Sequence, residues 1–216
     1  MSDKLFVSLS KLREAMIRNN SDSDPHTGDL IDIAIALAYA VKRVFFEKSN
    51  FKFTSDPIIQ KQLITQFMDR IRIDAMAKFN QTTVLSVVHF YKNSKAAEAN
   101  KPVGVLIVYI EHKYVPEMLR LLKYPYIDYD EDREVLDGVG AIVNLIGGGF
   151  KRELKRLGYK DLEMSAFTSF VNKVSNGVNY PKDQVEKYEI SFDIDDKKRL
   201  VVEMVMAPLN KLLKPT

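Results

Sequence analysis

Residues 137–151 read Asp137-Gly-Val-Gly-Ala141-Ile-Val-Asn144-Leu-Ile-Gly-Gly-Gly-Phe-Lys151. They lie inside a longer segment, Glu131 to Leu157, with acids at its start (Asp130, Glu131, Asp132) and cations near its end (Lys151, Arg152, Lys155, Arg156). A helix dipole favours that charge order, and Gly158 supplies a stop. At 3.6 residues per turn Val135, Val139, Ile142, Ile146 and Phe150 form one apolar stripe, while Asp137, Ala141, Asn144, Gly148 and Lys151 fall on another face. The spacing predicts a long helix with its apolar stripe in a core and Asn144 turned away from it.

Gly140, Ala141, Gly147, Gly148 and Gly149 are costly choices in a helix if local propensity alone matters. Small residues let another surface come close, and two surfaces qualify. One is a second helix, Leu30 to Lys48, with Ile33, Leu37, Val41 and Val44 on one stripe and Ala34, Ala36, Ala38 and Ala40 between them. The other is a separate molecule. A phosphate-binding loop is a poor reading, because amides inside a helix are already hydrogen-bonded.

Working outward, Lys4 to Arg18 places Leu5, Leu9, Leu12 and Met16 at helical spacing, and the polar run Asn19 to Gly28 reads as a loop. A shorter helix is expected over Pro57 to Met68, with Pro57 at its start. Strands are expected over Arg70 to Phe79, Thr82 to Tyr91 and Val103 to Tyr109, with the polar segment Asn93 to Pro102 connecting the last two. Lys113 to Leu122 reads as a helix, followed by an aromatic loop, Tyr124 to Tyr129. Three more strands follow at Leu162 to Phe170, Tyr188 to Ile194 and Leu200 to Met206, the last two joined by a turn at Asp195, Asp196 and Lys197. A last short helix is expected from Pro208. Both halves run helix, three strands, short helix. The fold class expected is therefore α/β of the α+β type: a single mixed sheet of about six strands, two long helices on one face, and a pseudo-twofold repeat. Residues 1–28 form an N-terminal arm and residues 29–216 one domain.

Composition narrows the function classes. The 216 residues are 46% hydrophobic and 28% charged, which is globular. No cysteine is present, which excludes disulfides, thiolate metal sites and a cysteine nucleophile. The net charge of +3, from 32 basic and 29 acidic residues interspersed along the chain, does not point to nucleic acid. The most apolar stretch, Leu30 to Phe46, is interrupted by Asp32, Lys42 and Arg43, so no membrane span is expected. The start of the chain lacks the pattern of a signal peptide, and a cytoplasmic location is expected. His26, His89 and His112 stand at no metal-ligand spacing, and the acidic run from Asp128 to Asp132 lacks the order of a calcium loop. No nucleophile elbow, Walker sequence or dinucleotide fingerprint occurs. Tyr124, Tyr126 and Tyr129 read as a loop anchor or a partner patch.

The segment from Asp137 to Lys151 resembles the signature helix of the CheC/CheX/FliY phosphatases of bacterial chemotaxis, with CheX the nearest type. That signature runs Asp or Ser, three residues, Glu, two residues, Asn, and a Pro twenty-three positions on. Asp137 and Asn144 fill the first and third places, whereas Ala141 stands for the Glu and Phe167 for the Pro. Met164-Ser-Ala-Phe-Thr168 resembles the family's Ser-x-Pro-Thr strand, and Tyr188 to Met206 its closing hairpin. The resemblance runs from about Asp130 to Ala207; over Leu30 to Leu122 it rests on element order. A second dyad at the same spacing on the first helix would use Asp32, Ala36 and Tyr39, and there both Glu and Asn are absent.

The resemblance implies a surface that docks the receiver domain of a CheY-like response regulator or another signalling protein. Asn144 takes the place of the residue that orients the attacking water, and Asp137, Gly140, Ala141, Gly148 and Lys151 are candidates for partner contact. Orienting water is positional work that an amide does without titrating. Ala141 supplies none of the contact that the Glu makes to a regulator lysine. Weak or no phosphatase activity is therefore expected. The alternatives are an active phosphatase that takes its acid from Glu163 or Asp137, and a structural module in which the Gly/Ala face is a packing seam. No cofactor is expected, since any Mg belongs to the receiver. A homodimer is expected, because Val103 to Tyr109 is an apolar strand that is hazardous as a free edge.

Overall fold

The computed structural model describes Lys11, Arg13, Glu14 and residues 27–125, 131–172 and 174–208. In chain order the elements are α1 (Thr27–Ser49), β1 (Ile58–Leu63), β2 (Gln66–Phe67), β3 (Arg70–Asp74), a 3-10 turn (Met76–Lys78) and β4 (Thr83–Tyr91). Then come α2 (Ser94–Glu98), β5 (Gly104–Glu111), a second 3-10 turn (His112–Tyr114), α3 (Val115–Leu121) and α4 (Asp132–Arg156). The chain continues through β6 (Glu163–Met164), β7 (Thr168–Val171), β8 (Val174–Val178), β9 (Glu186–Ile194) and β10 (Lys197–Met206).

The main sheet has seven strands in the order β1-β9-β10-β5-β4-β6, with β7 also pairing β4. Every pair within it is antiparallel. A second antiparallel sheet, β2-β3-β8, lies apart from it. The expectation of one mixed sheet is thus corrected to two antiparallel ones, because each neighbouring pair is joined by a hairpin or by a connection that reverses direction.

Alternation along the central strands sends side chains to two cores. Val84, Val88, Phe90, Leu106, Val108, Ile110, Val202 and Met204 meet α1 and α4, which share one face of the sheet. Leu85, Val87, Val105, Ile107, Tyr109 and Val201 point the other way, toward Ile71, Ile73 and Val178 of the small sheet. Burial on both faces is why β4 and β5 read as near-continuous apolar runs. Phe90 and Phe150 join sheet to α4, with ring centroids 5.7 Å apart and edge to face.

Local signals account for the boundaries. Asn93 caps α2 by accepting from the Ala96 N–H at 3.0 Å. Asp195 and Asp196 take φ of 51° and 57°, the left-handed pair that a two-residue hairpin between β9 and β10 requires.

The expected helix over Pro57 to Met68 is β1, β2 and their link instead. β1 is an edge strand held to β9 by its backbone, so its side chains carry little apolar alternation. The expected strand over Leu162 to Phe170 is two short strands, β6 and β7, separated by residues 165–167. The helix expected from Pro208 falls on residues outside those described, as do Tyr126, Tyr129, the acids Asp128 and Asp130, and most of the N-terminal arm.

Candidate functional site

α4 places Asp137, Ala141, Asn144, Gly148 and Lys151 along one ridge, as its period requires. Asp137 is exposed, and the other four are half-buried. Asn144 is therefore not sealed against α1. Lys151 reaches Asp161 at 3.2 Å, and that hydrogen bond holds the exposed Asp161 carboxyl below its ordinary range.

The glycines divide into different roles. Gly148 is open: a Cβ there meets nothing within 4 Å. At Gly149 a Cβ would stand 3.1 Å from Val44 Cγ2 and 3.7 Å from Ala40, so this residue permits the approach of α1. Gly147 lies under Met164, whose Sδ is 2.7 Å from the Cβ position. Gly140 was expected on the partner face, and this is corrected: it is buried, with Phe167 Cε2 2.1 Å from its Cβ position. The aromatic ring needs the space, so Gly140 serves packing. Only Gly149 fits the reading of a seam against the alanines of α1.

The equivalent ridge on α1 holds Asp32, Ala36 and Tyr39, all half-buried. Arg13 engages both carboxylate oxygens of Asp32, the Nη2 to Oδ2 contact being 3.1 Å. Toward their C-terminal ends the two helices are tied together. Arg43 donates to Glu47 at 2.6 Å and to the buried Glu153 at 3.1 Å, and Arg156 also reaches Glu153 at 2.9 Å.

A second polar group lies on the opposite face of the sheet, and no sequence motif marks it. Glu189 and Glu203 are directly opposed across β9 and β10 and are both buried. Lys78 Nζ donates to Glu189 Oε2 at 2.5 Å and also to Glu203 Oε1. Lys187 Nζ donates to the same Glu203 oxygen at 2.5 Å, and the Tyr109 hydroxyl donates to Glu203 Oε2 at 2.6 Å. Burial pushes the Glu203 carboxyl up, and Lys187 and then Lys78 more than reverse this, leaving it below the ordinary value. Burial likewise lowers the Lys78 ammonium, and Glu203 and Glu189 outweigh it to leave Lys78 raised. Burial, and next the charge of Glu203, push the Tyr109 hydroxyl well up, so it stays a donor. The one signal in the sequence is an acid inside an apolar run, Val201-Val-Glu203-Met-Val-Met206.

Among the described residues no group of three or more His, Asp or Glu is placed to hold a metal, and no helix is long and apolar enough to cross a membrane.

No family model and no curated protein matches the chain. Solved structures do, and they define its class: the chain has the fold of the CheC-like and CheX chemotaxis proteins. CheX from Vibrio vulnificus matches with a TM-score of 0.52 at 15% identity, over 80% of this chain and 97% of that one. A CheC-like superfamily protein from Shewanella sp. PV-4 matches at 0.51 and 17% identity, over 80% and 96%. A chain of the FliM–SpeE complex from H. pylori matches at 0.51 and 11%, over 89% and 94%.

Proposed function

We propose that this chain is a CheX-like chemotaxis signalling protein that docks a CheY-like receiver domain on the outer ridge of α4 and has weak or no phosphatase activity. The carrying observation is the ridge itself. Asn144 stands half-buried between exposed Asp137 and open Gly148, where an incoming surface reaches it, while position 141 carries a methyl group in place of a carboxylate. An amide so placed orients a water, and the missing charged contact removes part of what binds or stabilises a phosphorylated partner. Any Mg is brought by the receiver. The protein is expected in the cytoplasm; the free-edge argument for a homodimer is corrected, because Val103 to Tyr109 falls on β5, which is paired by β4 on one side and β10 on the other.

An active phosphatase is the second reading. Asp137 lies one turn from Ala141 on the same ridge, whereas Glu163 is on β6 and accepts from Ser94 Oγ at 2.8 Å. Asp137 is thus the better substitute acid. The purely structural reading is weakened by Gly148, where a Cβ would meet nothing within 4 Å among the described residues.

The experiment is a dephosphorylation assay on a phosphorylated CheY-like receiver, paired with calorimetric binding to the same domain. Binding with little acceleration supports the proposal. Efficient turnover that survives Asn144→Ala overturns the roles assigned to Asn144 and Ala141, and absence of binding favours the structural reading.

A further inference from the structure

The face of the main sheet remote from the helices holds a cavity of about 310 Å³ beside the small sheet. That is the lower end of the range of small-molecule sites and far beyond one water. Thr65, Arg72, Asp74, Lys78, Tyr109, Lys187 and Glu203 supply its polar lining.

Hydrogen-bonding capacity decides what fits. Glu203 is largely saturated: Oε1 accepts from both lysines and Oε2 from Tyr109, which leaves one acceptor site on Oε2. Of the three hydrogens on Lys78 two are engaged, and of those on Lys187 one. Among the described residues Arg72 has no ion-pair partner, leaving its guanidinium fork uncommitted. On the acceptor side Asp74 remains, and its Oδ1 already takes the Ala77 N–H at 3.3 Å. The lining has more unused donors than unused acceptors, although with Glu189, which takes a Lys78 hydrogen beside it, the acids (Asp74, Glu189, Glu203) equal the cations (Arg72, Lys78, Lys187).

We propose that this cavity binds a small molecule through a phosphate or carboxylate group, held by the Arg72 fork together with the free hydrogens of Lys187 and Lys78. Arg72 stands at the exposed rim and forms the bidentate contact. The two lysines, fixed in place by Glu203, need little reorganisation to receive the anion.

The test is titration of the full chain with inorganic phosphate and separately with succinate, at constant ionic strength against chloride, followed by calorimetry and melting temperature. The amide spectrum of residues 72–78 and Lys187 reports location. One probe or both should bind saturably, raise the melting temperature and shift those amides; the tighter probe identifies the group. Arg72→Gln should weaken binding about tenfold or more with the unliganded melting temperature unchanged, because that side chain has no ion pair to lose. Lys187→Met should weaken it too; should that variant not fold, Arg72→Gln still decides. No saturable response to either probe, or equal affinity in Arg72→Gln, overturns the proposal.

Discussion

The ring of Phe167 occupies the place that a Cβ on Gly140 would need, with three ring carbons between 2.1 and 2.4 Å from it. The ring thus covers the helix face beside Ala141. Gly140→Ala should therefore destabilise by about 1–3 kcal/mol through overpacking, against a propensity gain of about 1 kcal/mol. Gly148→Ala, with no obstruction, should show the gain alone. Urea unfolding of the two variants checks this, and equal effects would sink the assignment of separate roles.

Ala141→Glu should raise dephosphorylation of a cognate receiver about tenfold or more, since positions three apart on a helix share a face with Asn144. Asn144→Ala in that background should abolish the gain. Single-turnover phosphate release measures both.

Lys78→Met should cost about 3–5 kcal/mol, because it leaves buried Glu189 without its cation, opposite a Glu203 held by Lys187 and Tyr109. The pH profile separates this from lost packing. Glu203 is depressed, so its contribution is present above the ordinary value of 4.5 and is lost as pH falls through the folded value. Lys78 is raised, so its contribution is present below 10.5 and lost as pH rises through the folded value. Wild type should lose stability at both ends, and Lys78→Met should lose less at the alkaline end, where the buried hydroxyls of Tyr109 and Tyr159, both raised, still contribute a loss of their own. Thermal melts across pH provide the reading.

His89 adds a milder acid sensitivity. Burial lowers its pKa against a hydrogen bond to the Asn179 backbone, and among the described residues the buried Nε2 has no hydrogen-bond partner. With the folded value depressed below 6.5, stability is intact above 6.5 and declines as pH falls toward the folded value. Between about pH 8 and about pH 5, His89→Gln should lose less stability than wild type.

The parts legible in the sequence were those that local chemistry controls. The dipole order and Gly158 bounded α4 closely, and Asp195-Asp196 announced the β9–β10 hairpin. The turn between β2 and β3 uses Met68 and Asp69 at φ of 44° and 60°, with neither Gly nor Asn to signal it. That absence helped 57–68 pass as a helix. The ridge was legible because one helix carries it. For the polar group the only sign was Glu203 inside an apolar run, since Lys78 reaches the β9–β10 hairpin from a turn far away in sequence.

The strand order also constrains how the chain reaches this shape. β10, the last strand described, lies between β9 and β5 in the middle of the sheet, and β1 finds its partner only in β9. During synthesis β4 can pair β5 and then β6 and β7, but β1 and the other edge of β5 must wait, unpaired, until the C-terminal hairpin emerges. Folding should be slow and late, governed by closure of long loops. A nascent chain stalled before Lys197 would expose the β5 edge, Val105 to Ile110, which makes that moment its greatest risk of aggregation.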